Sequence, residues 1–498
     1  MTPDFKTFER LASPGAVIPV YTELLADMET PLAVYSRLAD GQYSFLLESV
    51  EGGENLARYS FIGSHPRVVF KSKGRNVTLI EGGVEKTYEV ADSPVEDLRR
   101  IMKRYSFVAL PGLPRFAGGA VGYVSYDAIQ YFEPVPQGNP DDRDLPELYF
   151  VLTSCVVAFD HVRHRLIVVA NAHCDGRPAR AVYDEALACI TRVEQALQTP
   201  PAFRPLQAID SGALAATDFR QPPSNYTIEE YGTIVERCKE YIRAGDIIQV
   251  VPSQRFEYAT GATPFDVYRA VRCINPSPYM FLLEFKGVAL VGSSPEVMVR
   301  VENGEVEVRP IAGTRRRGMT QEEDAALEAE LLADEKERAE HAMLVDLGRN
   351  DIGRVCEFGT VRVSELMVIE RYSHVMHIVS CVLGKLMREK DAFDVLAATF
   401  PAGTVSGAPK IRAMQIIEEM EKCRRGPYAG TVCYLGYEGN LDSCITIRTI
   451  VMKGGKAYVQ AGGGIVADSI PELEYKETVN KARALIKAIH LAGTFREA

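Results

Sequence analysis

Apolar positions along this chain follow two different periods, and the change from one to the other predicts its elements. In the first 198 residues they form short runs: FLLESV (45–50), PRVVFKS (66–72), NVTLIEG (76–82) and LYFVLTSCVVAFD (148–160) predict strands. PVPQGNPDDRDLP (134–146) predicts a surface loop from its Pro, Gly and Asp content. The helical stretch ARAVYDEALACITRVEQAL (179–197) closes this half. Residues 199–224 carry several prolines and no sustained period, so they predict a connection between two domains, 1–198 and 225–498.

The second half opens on helical spacing. Tyr231, Ile234, Val235, Cys238, Tyr241 and Ile242 share one face, Thr227 and Glu230 form a capping box, and Gly245 ends the run. Thr263-Pro264 starts another helix. Residues 288–314 predict strand–turn–strand, and Thr320 with Glu323 predicts the cap of one long helix carrying Glu337 and Glu340. LDSCITIRTIVMKGGKAYVQAGGGIV (441–466) predicts a hairpin, with Arg448 inside the alternating strand CITIRTI, and a last helix follows. The fold class is α+β, antiparallel sheets flanked by helices.

Two acidic pairs change this picture. Glu337 and Glu340 are spaced i, i+3, and so are Glu474 and Glu477, so each pair lies on one helical face. Two unit charges about 4 Å apart repel by roughly 1 kcal/mol in water and about 4 kcal/mol at a protein-like dielectric. If the two faces meet, four carboxylates converge and call for a cation; oxygen ligands favour Mg²⁺ over zinc. The spacing is equally at home on a solvated helix.

Composition narrows the classes. The chain has 498 residues, 46% of them hydrophobic and 25% charged, as expected for a globular protein. No apolar run reaches the length of a membrane span, and the N-terminus lacks a secretion signal, which fits a cytoplasmic protein. The net charge of −11 argues against nucleic-acid binding. The 10 cysteines form no CxxC pair, which suits reduced structural thiols. An acidic protein that takes an anionic substrate must supply local cations: a metal, arginines or helix N-termini.

Several residues carry chemistry with a bland reading beside it. GTRRRG (313–318) suits an anion site or a solvated loop. AGGGIV (461–466) lets backbone amides approach a carboxylate, or makes a tight turn. Arg448 can hold a carboxylate bidentately or sit in solvent. His374 and His377 can act as acid or base, or be structural. Glu296, in GSSPE, is a general acid or a turn residue.

Together these pieces resemble the chorismate-utilising enzymes. The resemblance rests on PIAGTRRRG, DEKERAEHAMLVDLGRNDIGR, ERYSHVMHIVS, FPAGTVSGAPK, GPYAG, IRT, QAGGGIVADS and the closing E-x-x-E-x-x-x-K, in order over most of 225–490, and more loosely on LLES (46–49) and ARYSFIG (57–63). It implies a layered α/β sandwich. It implies Mg²⁺ held near Glu337, Glu340, Glu474 and Glu477, with Glu340 and Glu477 the direct ligands. Tyr428, Arg448, the amides of Gly462, Gly463 and Gly464, and Lys481 match positions around the carboxylates of chorismate. Thr404 matches a substrate-proximal position, Glu296 the general acid that protonates the departing 4-hydroxyl, and His374 the catalytic histidine.

The resemblance further implies that ammonia attacks ring carbon 2 of chorismate to give 2-amino-2-deoxyisochorismate. Loss of pyruvate then yields anthranilate, the first step of tryptophan biosynthesis. Water-adding relatives carry a lysine where this chain has Gln249, and glutamine has no basic lone pair for activating water. The p-aminobenzoate branch carries lysine in PIKGT, where Ala312 stands here. Ser49 with Asn275, Pro276, Ser277, Tyr279 and Met280 resembles a feedback site for L-tryptophan. The absence of tryptophan from the chain suits such a pathway. With no amidotransferase segment in the sequence, the resemblance implies a separate glutamine amidotransferase subunit supplying ammonia, in a heterotetramer. The alternatives are the p-aminobenzoate-pathway relative and a non-catalytic, tryptophan-sensing homologue.

Overall fold

Strand Tyr279–Phe285, from the second half of the chain, runs antiparallel to Tyr43–Glu48 from the first, with Leu282 opposite Leu46. The same happens again where Thr431–Gly436 pairs with Gly119–Val124, Val432 opposite Tyr123. A computed structural model describes residues 1–49, 58–200, 222–372 and 375–495 of the chain. Its strands form an eleven-stranded and a twelve-stranded sheet, besides one two-stranded pair, among the described residues. Both large sheets draw on both halves. The expected boundary at 198/225 therefore separates stretches of sequence that share their sheets, and residues 201–221 of the expected connection lie outside the described residues.

The two sheets close on an aromatic core that includes Phe45, Phe61, Phe116, Tyr123, Phe281 and Tyr434. Helices cover the outer faces, as the resemblance implied. The helix Ala179–Gln198 lies over strand Arg165–His173, and the C-terminal helix Pro471–Thr494 lies over Pro264–Ile274 and Ile228–Arg243. The capping box at Thr227 and Glu230 forms as expected.

Two local expectations are corrected. The long helix is two, Gln321–Ala333 and Glu335–Gly353, broken at Asp334. Asp334 is extended, and its carboxylate takes the amides of Lys336 and Glu337 at 3.0 and 3.2 Å, which starts a new helix. Glu337 and Glu340 thus stand in the first two turns of a helix, as do Glu474 and Glu477 on Pro471–Thr494. Glu337 and Glu474, in the first turn, each gain about 0.3–1 kcal/mol from the positive helix end. CITIRTI, likewise, is not one strand. Leu441–Ile445 belongs to one sheet and Thr449–Lys453 to the other, and Arg448 sits in the crossing at φ 49°, a left-handed conformation that non-glycine residues seldom adopt.

Candidate active site

Residues 249–252 are held by backbone bonds on both sides. Gln249–Val250 pairs with Gly407–Ala408, and Val251 donates its amide to Ser406 O at 3.0 Å. Opposite, Val250 and Ile465 exchange bonds of 3.2 and 2.8 Å, and Gly463 donates to Pro252 O at 3.3 Å. One extended segment thereby fixes the loop carrying Thr404 against the AGGGIV strip.

The glycines of that strip answer to close approach rather than to a turn. A Cβ on Gly462 would meet Pro252 O at 2.7 Å and the Tyr428 hydroxyl at 2.9 Å; one on Gly464 would meet Gln249 Nε2 at 2.6 Å. A Cβ on Gly463 would stand 3.2 Å from Glu474 Oε2 and 3.8 Å from Glu477 Oε1.

Three of the four glutamates reach this strip, Glu340 through Gln249. Gln249 Nε2, which lies against Gly464, donates to Glu340 Oε1 at 3.1 Å. Glu474 and Glu477 arrive one glycine away. Glu337 stands beside Gly313, its Oε1 bonded to Arg315 at 3.3 Å. Burial, with a smaller push from Glu340, lifts the Glu337 carboxyl above its usual range, and burial with a smaller push from Glu477 does the same for Glu474.

Among the described residues, no three His, Cys, Asp or Glu side chains close into a ready-made metal cage. Glu340, Glu474 and Glu477 border the glycine strip and Glu337 borders Gly313, so the four carboxylates do not converge on one point. Each pair also meets a cation of its own, Arg315 at Glu337 and Lys481 at Glu477. The donor set is nonetheless suited to a hard divalent ion: carboxylate oxygens from two helices, with Glu337 and Glu474 raised by burial, and the neutral amide of Gln249 beside Glu340.

Lys481 links acid and glycine, its Nζ 2.6 Å from Glu477 Oε1 and donating to Gly462 O at 2.9 Å. Arg448 donates through Nη1 to Lys481 O at 2.7 Å, which gathers the crossing, the helix and the strip. Burial lowers the Arg448 guanidinium from its usual value, against Tyr428 and Glu477. Burial pushes the Tyr428 hydroxyl up to about 12, and the nearby Arg425 and the Gly462 amide oppose that push.

Glu296 accepts from Thr404 Oγ1 at 2.8 Å. Burial lifts its carboxyl to about 7, against that hydrogen bond and the charge of Lys481. Thr404 and Glu296 are thus brought together, and Lys481 ties them electrostatically to the glycine strip. Ala312 lies on strand Ile311–Arg316 opposite Ile378. His374 lies outside the described residues. His377 does not: its Nδ1 is 2.9 Å from Gly313 O, which puts the proton there and leaves Nε2 as the basic nitrogen. Burial lowers the His377 pKa, so the ring is neutral at pH 7.

The pattern of the sequence missed Arg425. Only 2% exposed, it pairs with Glu421 and donates to Val405 O at 2.9 Å and Val251 O at 2.6 Å, with its guanidinium 5.5 Å from the Tyr428 ring centre. It ties the Thr404 loop, the Gln249 segment and Tyr428 together from beneath. Its only signal is RRGPYAG, which reads as a solvated basic turn.

A second pocket lies between the sheets. Ser49, Tyr279 and Met280 line it, with Glu48, Phe61 and Cys444. Asn275 is not in its wall; the Asn275 amide turns to Ser293 Oγ at 3.2 Å, while Pro276 and Ser277 form the connection into strand Tyr279–Phe285 and are not in the wall either. The polar end is Asp442, which accepts from Tyr279 at 2.8 Å and lies 3.4 and 3.6 Å from Arg115 and Arg300. Burial alone would raise Asp442, but the two guanidiniums and Tyr279 hold it below the usual carboxylate range.

This fold has known counterparts. The family model described as "chorismate binding enzyme" matches residues 42–487. The chain belongs to that family of chorismate-binding enzymes. Within it, the chain is 52% identical over 483 residues to anthranilate synthase component 1 of Acetivibrio thermocellus, covering 96% of this chain and 97% of the relative. It is 49% identical over 493 residues to the Pseudomonas putida protein of the same name, covering 97% and 98%. Anthranilate synthase component I from Streptococcus pneumoniae superposes with a TM-score of 0.74 at 37% identity, covering 93% of this chain and 98% of that one. The menaquinone-specific isochorismate synthase MenF of Escherichia coli shares the fold at a TM-score of 0.69 and 17% identity, covering 98% and 99%.

Proposed function

We propose that this chain converts chorismate and ammonia to anthranilate and pyruvate with Mg²⁺, through 2-amino-2-deoxyisochorismate, in tryptophan biosynthesis. The observation that carries the reading is Glu296: a carboxyl lifted to about 7, bonded to Thr404 and within electrostatic reach of Lys481, which pairs with Glu477.

Such an acid is about half protonated at neutral pH, so it can hand its proton to the 4-hydroxyl oxygen as that group leaves and ammonia bonds to ring carbon 2. Thr404 orients the carboxyl. Gln249 cannot deprotonate water, which disfavours the competing addition. Glu340, Glu477, Glu474 and Glu337 are the residues to hold Mg²⁺, which when bound offsets the negative charge of the substrate carboxylate. Arg448, Tyr428 and Lys481 grip the anion by charge and hydrogen bonds. His377 Nε2 is suited to take the proton lost from ring carbon 2 as pyruvate departs and the ring aromatises.

The relatives' name, component 1, supports a separate glutamine amidotransferase subunit delivering ammonia. None of the ten cysteines is in a disulfide, which suits a cytoplasmic setting. No helix among the described residues is long and apolar enough to cross a membrane. Feedback by L-tryptophan belongs to the pocket of Ser49, Tyr279 and Met280. That pocket holds only about 50 Å³ of free space, so an indole enters only if side chains such as Tyr279 move.

Incubation with chorismate, Mg²⁺ and ammonium tests the reading. Fluorescent anthranilate with equimolar pyruvate is expected. Aminodeoxychorismate without pyruvate overturns it in favour of the p-aminobenzoate branch, and tryptophan-induced stabilisation without turnover overturns it in favour of a sensing protein.

A further inference from the structure

A third cavity shares no residue with the cleft or the aromatic pocket. It holds about 320 Å³ of free space, between the end of strand Arg165–His173 and the helix Ala179–Gln198. That is enough for a small organic molecule. Its walls differ in chemistry. Val182, Ala186 and Val193 of the helix supply an apolar side. Arg67, Asn171 and His173 supply a polar one.

Among the described residues, the polar side is unsatisfied. His173 is 6% exposed, and neither ring nitrogen has a hydrogen-bond partner there. Asn171 is also 6% exposed; its amide nitrogen donates to Ala117 O at 3.1 Å, while Oδ1 has no partner among those residues. The Arg67 Nε is likewise buried without a partner among them. Native proteins rarely leave so many buried polar atoms unpaired in one place unless something fills the space. Burial, with a smaller contribution from Arg67, pushes His173 down to about 3, so the ring is neutral and offers one donor and one acceptor.

The charge is also the reverse of the chain's. Arg37, Arg67, Arg177 and Arg192 line the cavity against a single carboxylate among the described residues, Glu185; Arg37 is already paired with Glu29 and Arg177 with Glu185, each at 2.9 Å. A cationic wall facing an apolar one, in a protein of net charge −11, selects a particular kind of guest. We propose that this cavity is a second ligand site, taking a small organic anion whose carboxylate or phosphate ester meets Arg67, Asn171 and His173 and whose apolar body lies against Val182, Ala186 and Val193.

Calorimetric titration of the full chain with benzoate, phenyl phosphate and inorganic phosphate tests this. At least one of the two organic probes should bind about tenfold more tightly than inorganic phosphate, and which one does so identifies the head group. Arg67→Gln should weaken that binding about tenfold and leave pyruvate release from chorismate intact. Ala186→Leu, which fills the apolar side without altering charge, should weaken it too and serves if Arg67→Gln folds poorly. Arg448→Gln should leave it unchanged. No binding of either organic probe below about 10 mM would mean that the cavity holds ordered water only. Loss of binding in Arg448→Gln but not in Arg67→Gln or Ala186→Leu would place the probes in the cleft. Either result overturns the proposal.

Discussion

Asp442 and Glu296 are both enclosed carboxylates, and the protein drives them in opposite directions. Asp442 has two guanidiniums and a tyrosine hydroxyl around it and stays ionised below its usual range. Glu296 has one threonine hydroxyl and a lysine nearby, and burial lifts it to about 7. Glu337 and Glu474 follow Glu296, each raised by burial and by its pair-mate. Burial is common to all of these groups; the supply of counter-charge differs. Where the chain provides its own cations, an acid becomes a fixed structural element of a pocket. Where it provides too few, the acid is left able to give up a proton or to take a metal ion.

The largest test of this contrast is Glu296→Gln. Loss of a general acid costs about 10²–10⁴-fold in turnover, and steady-state pyruvate release should show that loss in kcat with little change in KM. A mere turn residue would move neither. Next is Arg300→Leu, which strips one of the two guanidiniums from Asp442. Breaking a buried pair costs about 3 kcal/mol, read by urea unfolding at pH 7. A depressed carboxylate stabilises above its unfolded pKa and loses that contribution as pH falls. The cost of Arg300→Leu should therefore shrink below about pH 4; a cost independent of pH would mean that Arg300 acts by packing alone.

Slightly smaller is linkage. Mg²⁺ with chorismate at a hundredfold excess over the dissociation constant should stabilise the chain by about 2.7 kcal/mol, and Glu340→Gln should remove most of that gain. The smallest effect per step is the pH slope of stability itself, at most about 1.4 kcal/mol per pH unit. Because the carboxyl of folded Glu296 sits near 7 rather than in the usual range, the folded state holds the extra proton between those values. Its contribution is complete in acid and fades as pH rises toward 7. Urea unfolding across that interval should lose this slope in Glu296→Gln. Turnover should likewise fall as pH climbs past about 7 and the acid is spent.

Parts of this were legible in the sequence because they are local. The i, i+3 glutamate spacing, the Thr227 capping box and the runs that became strands need only near neighbours to be read. Asp334 was equally local and was overlooked, since Thr320 and Glu323 already supplied a helix start and the acidic run behind them reads as continuous helix. The shared sheets were not legible. Leu282 meets Leu46 across more than two hundred positions, and a period-two pattern names a strand without naming its partner. Arg448 looked like a strand residue because CITIRTI alternates across a crossing between two sheets. The pocket of Ser49 was half found: Tyr279 and Met280 sit in one recognisable segment, but Arg115, Arg300 and Asp442 come from three others. Arg425 was invisible because a buried basic residue and a solvated one look alike in sequence.

The account rests on the two glutamate pairs acting together on one cation. Mn²⁺ can stand in for Mg²⁺, and its electron paramagnetic resonance signal reports binding directly. In the presence of chorismate one Mn²⁺ should bind per chain, and Glu340→Gln on one helix and Glu477→Gln on the other should each weaken it at least about tenfold. Equal binding in the wild type and both variants would contradict the account.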